Sequence, residues 1–270
     1  MSARNTKGGS VKKWFKKIGW GFLVAVVALV CFYRLWMYPR YTVPMLMYHY
    51  IDPEIWSLSV TPENFERQMK FLSEKKYRVI SLDAFVEQTK AGKPFAHNTV
   101  VITFDDGRSD NYKNAYPVLK KYNMPATIFL ITQWMDRDPQ LTWDQVREMA
   151  ANGIDFGSHT QHHRYVPDLL PRELLTEIVN SKYDIEGRLG RPANHFCFPS
   201  GGFTEEAKAV IRQAGYTSAS TTNRGMDRHN RDLYELKRIK VKNRDGENTF
   251  YFWIKLSGYY NLFRGGKPGD

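Results

Sequence analysis

The chain has 270 residues, a formal net charge of +11, 14% aromatic side chains and only two cysteines. Eight of its 39 Lys and Arg fall in residues 1–40, which hold no acid, leaving residues 41–270 with 31 bases against 28 acids. That near balance removes the case for a nucleic-acid partner. With Cys31 in an apolar run and Cys197 alone beyond it, an intradomain disulfide and a thiolate metal cluster are both excluded.

Residues 1–17, with Gly8-Gly9-Ser10, read as a basic, disordered cytoplasmic stub. Residues 18–38 are apolar apart from Arg34, and as a helix they would rise roughly 31 Å, enough to cross a hydrocarbon core. Arg34 can snorkel towards one interface, and Trp14, Trp20, Trp36 and Tyr38 lie where aromatic belts form. Six bases precede the span, which predicts a single-pass anchor in the cell membrane, a cytoplasmic N-terminus and the remainder outside. A cleaved signal peptide is the competing reading. No small-x-small site follows the apolar run, however, and Val30 before Cys31 makes a poor lipoprotein-processing site. Residues 39–44 are a short linker.

From residue 45 to 270, long enough for one core, strand and helix signals alternate. Apolar or β-branched runs at 45–50, 78–80, 99–104, 126–131, 154–156, 195–198, 216–218 and 236–241 predict strands. Helices are predicted after Thr61-Pro62, after the capping-box pattern Thr142-Trp143-Asp144-Gln145, over 171–189 and over 204–214. Strands separated by helices imply parallel βαβ units, and active sites then collect at the carboxyl edge of the sheet. Periodicity does not separate a barrel from an open sheet.

Two motifs fall just past strand ends. Thr103-Phe104-Asp105-Asp106-Gly107 places adjacent carboxylates there, and His159-Thr160-Gln161-His162-His163 places two imidazoles four residues apart. On a helical turn, His159 and His163 would share a face. One carboxylate and two imidazoles suit a divalent metal with open positions, and the other carboxylate can act as a base. Residue type alone does not say which aspartate does which. His162 would point away from such a pair, and His97, His195 and His229 read as structural or solvated.

TFDDG followed by HTxxH resembles the signature of the polysaccharide deacetylase family, metal-dependent carbohydrate esterases acting on N-acetylated sugars. Pro44-Met45-Leu46-Met47-Tyr48-His49, residues 60–82 and Phe198-Pro199-Ser200-Gly201 are similar to the branch containing poly-N-acetylglucosamine deacetylases. The resemblance spans about residues 44–256. It implies an α/β fold, a distorted (β/α) barrel, here preceded by one transmembrane helix. It implies Asp106, His159 and His163 as ligands of a divalent ion, zinc first, with cobalt, nickel or iron as alternatives. Asp105 is then the base and His49, expected to titrate near neutrality, the acid.

Phe198, Pro199, Ser200 and Gly201 could turn backbone N–H groups towards a developing oxyanion. The family's base-orienting Arg is missing from this motif, where Cys197 and Phe198 stand instead; Arg238 is a candidate substitute, the other reading being a surface charge. Trp56, Trp134 and Tyr165 could stack on a sugar, while the aromatic tail (Phe250, Tyr251, Phe252, Trp253, Tyr259, Tyr260, Phe263) would cover the barrel's open side.

The expected function is membrane-anchored hydrolysis of N-acetyl groups on an extracytoplasmic N-acetylhexosamine polysaccharide. The alternatives are a deacylase or deformylase of a lipid-linked sugar or of peptidoglycan, a glycan-binding protein on the same fold, and a non-haem iron oxygenase.

Overall fold

The computed structural model describes residues 7–54, 57–222 and 230–261, so Trp56, His229 and Phe263 lie outside the described residues. Two compact units are present, residues 1–41 and 42–270.

The first unit is a single helix, Lys7–Phe32, which continues through a π turn, Tyr33–Met37, and a 3-10 turn, Tyr38–Arg40. Its apolar part, Trp14–Arg40, is long enough to cross a membrane. The helix begins at Lys7, so Gly8-Gly9-Ser10 is helical rather than the disordered stub expected. Once the apolar run has nucleated a helix, each further residue adds a backbone bond at little cost. The guanidinium of Arg40 lies 4.6 Å from the Trp36 ring centre and donates to the Trp36 carbonyl at 2.6 Å.

The second unit contains strands β1 Met45–Tyr48, β2 Tyr50–Ile51, β3 Ser59–Val60, β4 Arg78–Val79, β5 Thr99–Phe104, β6 Ala126–Leu130, β7 Ile154–Ser158, β8 His195–Cys197, β9 Ser218–Thr221, β10 Leu236–Lys237 and β11 Ile239–Lys240. All strand pairs are parallel. The main sheet runs β10-β9-β8-β7-β6-β5-β1-β11, with β4 alongside β5, and β2 and β3 pair separately. Helices between the strands make this a nearly closed (β/α) barrel.

The closure explains one departure from the expected strands. The run 236–241 is two strands of two residues, because the chain crosses there from β9 at one end of the sheet to β1 at the other. Arg238 sits at that seam.

Helix starts follow the sequence signals. Thr61 accepts from Asn64 N–H ahead of Pro62–Glu74, whose buried Phe65, Met69 and Leu72 contribute about 1.5–3 kcal/mol each by leaving water. Thr142 and Gln145 form a reciprocal capping box on Trp143–Ala151. The expected 171–189 helix is interrupted by a π turn, Thr176–Asn180, which buries Glu177, and it ends at left-handed Gly190.

Helices at Leu82–Lys90, Tyr116–Lys121, Asn243–Glu247 and Thr249–Lys255 were not expected. The second has Pro117 in its first turn and a polar π turn before it. The last carries the start of the aromatic tail, where Phe252 is buried against Phe71 while Phe250, Tyr251 and Trp253 remain exposed.

Candidate active site

The site grows from the carboxyl ends of β1, β5, β7 and β8. β5 ends at Phe104, and Asp105 donates its N–H to the Tyr48 carbonyl of β1 at 3.0 Å, as the ladder would. The next residue leaves that geometry. Asp106 takes φ 70° and Gly107 φ 64°, so adjacent aspartates face different ways. Glycine suits position 107, where the left-handed φ strains other residues and a Cβ would press on Leu130 Cδ2 at 2.7 Å. Gln140 Nε2 donates to the Asp106 carbonyl at 3.2 Å and holds the bend.

Asp105 is buried and engaged on both oxygens by Arg238, Nη1 to Oδ1 at 2.5 Å and Nη2 to Oδ2 at 2.7 Å. Arg238 also donates to Thr103 Oγ1 at 3.1 Å and to Cys197 Sγ at 3.0 Å. Burial alone would raise the Asp105 carboxyl. The Arg238 charge and its hydrogen bonds overcome that and hold it well below the ordinary carboxylate range. Arg238 is therefore a fully buried partner of Asp105 and not a surface charge.

His159 and His163 do converge, but not on a helix. The segment after β7 is an irregular loop with Thr160 at φ 65° and His163 at φ 57°. Thr160 Oγ1 accepts from His163 N–H at 3.0 Å and folds the loop so that the ring centres lie 4.9 Å apart. Buried Glu177 accepts from the N–H groups of Gln161 and His162, both at 2.9 Å, and its other oxygen lies 2.8 Å from His162 Nδ1. That turns His162 out of the site. His195 is buried at the start of β8, with Nδ1 3.0 Å from Ser218 Oγ, a structural residue as expected.

Left-handed backbone at Asp106, Thr160, His163 and Ser200 clusters at this edge. Such geometry costs about 1–3 kcal/mol per residue and persists where the surroundings enforce it, characteristically at functional sites.

Three donor atoms face one point. His159 Nε2 and His163 Nε2 lie 3.6 and 3.5 Å from Asp106 Oδ1, close to the roughly 3.3 Å expected between ligands of a tetrahedral zinc ion. The Cys197 carbonyl, 2.8 Å from His159 Nδ1, accepts that proton and leaves Nε2 as the lone-pair nitrogen. Burial lowers both histidines, His159 to about 3, which keeps them in the neutral form a metal needs.

Burial, and then the charge of Asp105, push Asp106 up to about 7, a repulsion that a cation at its oxygens relieves. Tyr50 lies close enough to the same carboxylate to lower it in part. Asp105, His159 and Cys197 also lie close together, but Arg238 occupies both Asp105 oxygens and burial pushes the Cys197 thiol up. Of these two overlapping groups, the Asp106 one keeps its carboxylate free of an Arg clamp, which sets the two aspartates apart.

His49 follows β1, and its Nε2 lies 3.8 Å from Asp105 Oδ2. Asn111 Nδ2 donates to the His49 carbonyl at 3.0 Å. The expectation of titration near neutrality is not met, because burial outweighs the pull of Asp105 and takes His49 down to about 4.

Only part of the 198–201 turn faces the site. Phe198 N–H is bonded to the Ser220 carbonyl, Gly201 N–H to the Phe198 carbonyl, and Pro199 has none. Ser200, at φ 53°, lines the cavity, so its N–H is the one donor left for an oxyanion. Trp134 stands beside His163, with ring centres 5.9 Å apart, and is partly exposed, whereas Tyr165 packs against Gly202. The cavity holds about 560 Å3, within the range for ligand sites.

Thr160, Glu177, Tyr50 and Asn111 were missed by sequence reasoning. Only Thr160 carried a signal, as a hydroxyl three residues before His163.

Residues 92–219 of this barrel match the polysaccharide deacetylase family. The chain is 37% identical over 199 residues to the family member YxkH of Bacillus subtilis (strain 168), covering 73% of this chain and 71% of that one. It belongs to the polysaccharide deacetylases, metal-dependent hydrolases of carbon–nitrogen bonds other than peptide bonds.

It is also 28% identical over 218 residues to the poly-beta-1,6-N-acetyl-D-glucosamine N-deacetylase of Staphylococcus epidermidis, covering 74% of each chain. Among solved structures, Streptococcus pyogenes deacetylase PplD in complex with acetate superposes with a TM-score of 0.72 at 28% identity, over 77% of this chain and 96% of that one. IcaB from Ammonifex degensii shares the fold, with a TM-score of 0.71 at 22% identity over 80% and 97%.

Proposed function

We propose that the protein removes N-acetyl groups from an N-acetylhexosamine polysaccharide outside the cytoplasm, held at the membrane by its N-terminal helix, with Asp106, His159 and His163 as ligands of zinc. The observation that carries this reading is the Arg238–Asp105 clamp beside the three ligand atoms, with His49 within 3.8 Å of the same carboxylate. The likeness to the staphylococcal poly-N-acetylglucosamine deacetylase supports the substrate class.

A bound divalent ion supplies polarisation of the acetyl carbonyl and acidification of a water. Asp105, kept ionised by Arg238, takes the proton of the attacking water. Ser200 N–H, in the cavity lining, is the donor of this turn available to the oxygen on which charge develops. His49 delivers a proton to the departing amine, which leaves poorly without one. Burial leaves His49 neutral near pH 7, so it must take up a proton before it acts as the acid, and the negative charge of Asp105, 3.8 Å away, helps it do so.

Acetate released from N-acetylglucosamine oligomers by the metal-loaded chain tests the reaction, and no acetate from any N-acetylated glycan refutes it. His49→Ala should lower kcat by about a hundredfold or more, with a smaller loss on an activated aryl acetate, whose leaving group needs no proton. Equal losses on both substrates would remove His49 from the acid role.

A further inference from the structure

The active-site cavity is unevenly charged. One wall is built by the segment from Lys237 to Lys255, which presents Lys240, Lys242 and Arg244, whereas Asp105 and Asp106 are the only acids among the described lining residues. Three other cations line the cavity, Lys237, Arg238 and Lys255; Arg238 is matched by Asp105 and Lys255 by Asp245 at 2.6 Å. Among the described residues, Lys240, Lys242 and Arg244 form no ion pair with an acid. Nearby Asp245 also accepts from Lys242 N–H, and Glu247 accepts from Asn243. Lys240 is lowered by burial and then by the charge of Lys242, so the two ammonium groups act on each other.

Three cations sharing the wall of a partly enclosed cavity repel one another unless an anion lies between them. A neutral N-acetylhexosamine polymer offers no such anion. Its deacetylated product, bearing an ammonium group, would be repelled by the wall. An oxyanion is what the arrangement complements, and a guanidinium and two ammonium groups in one wall suit phosphate or carboxylate.

We infer that the substrate is an anionic N-acetylated glycan, whose phosphate or carboxylate rests against Lys240, Lys242 and Arg244 while its acetamido group lies at Asp105. This rests on the deacetylase reading above and narrows its substrate class. The wall then selects the acetylated anionic chain and expels the amine that the reaction uncovers.

The test measures acetate release by the full, zinc-loaded chain on three oligomers of equal length. One is a neutral N-acetylglucosamine tetramer, one is that tetramer bearing a phosphodiester, and one alternates N-acetylglucosamine with carboxylate-bearing N-acetylmuramic acid. The expected result is a kcat/KM at least about tenfold higher on one of the anionic oligomers, carried by KM and eroded by salt. Which oligomer gains identifies the oxyanion.

Lys240→Ala combined with Lys242→Ala should lower the anionic-to-neutral ratio about tenfold, and the matching Lys→Arg pair should keep it. A neutral tetramer used as well as either anionic one, or an equal loss on all three in the Ala pair, overturns the inference and leaves the deacetylase reading standing. No acetate from any of the three sinks both.

Discussion

Asp105→Asn should reduce acetate release by about a thousandfold or more while the protein still binds one divalent ion. The amide keeps the shape of the carboxylate and can still accept from Arg238, but it cannot take a proton from water. The ligands are untouched. Removing the Asp105 charge also removes one of the two causes that push Asp106 up, so Asp106 ionises more readily and metal affinity holds or rises. Acetate assay and metal analysis on the same folded sample read both effects. An unchanged rate would place the base elsewhere, and loss of the ion would make Asp105 a ligand.

Arg238→Met should be the most damaging single change away from the reacting atoms. It leaves a buried carboxylate without its counter-charge, which costs about 3–5 kcal/mol. In the native protein Asp105 is held below its unfolded value, so its pairing stabilises the fold above the usual carboxylate range, and that contribution is lost as pH falls through the depressed value. Without Arg238, burial dominates and Asp105 is raised instead. The acid limb of the pH–rate profile should then move to higher pH, and stability should fall as pH rises from 5 to 8.

Arg238→Lys should restore part of the stability but little of the rate, since an ammonium cannot engage both oxygens as the guanidinium fork does. Urea midpoints at the two pH values and the pH–rate profile check both claims. A profile that does not shift would mean that Arg238 does not hold Asp105 ionised.

The sequence was most readable where chemistry is local. TFDDG and HTQHH each sit in a few consecutive residues at a strand end, so both motifs and the strands before them could be placed without knowing the closure. The helical turn proposed for His159 and His163 failed because a spacing of four fits two geometries. A helix brings such residues together, but so does a loop with left-handed Thr160 and His163, and here the latter prevails.

Arg238 was harder. Its residue type and distance in sequence from Asp105 made it one cation among many, and only the crossing from β10 to β11 brings it under the carboxylate. Glu177 is hidden for the same reason, since a π turn inside an expected helix turns an ordinary acidic residue inward. The oxyanion turn was over-read. Its composition suggested several donors, but the sheet takes one and the turn itself another, leaving Ser200.

Stripping the full chain of metal and assaying it on N-acetylglucosamine oligomers before and after reloading is the most direct test of the Asp106-His159-His163 site. Release should fall by at least about a hundredfold on chelation, return with one zinc ion per chain, and fail to return in His163→Ala. Undiminished acetate from the chelated protein would contradict a reaction that depends on an ion at those three side chains.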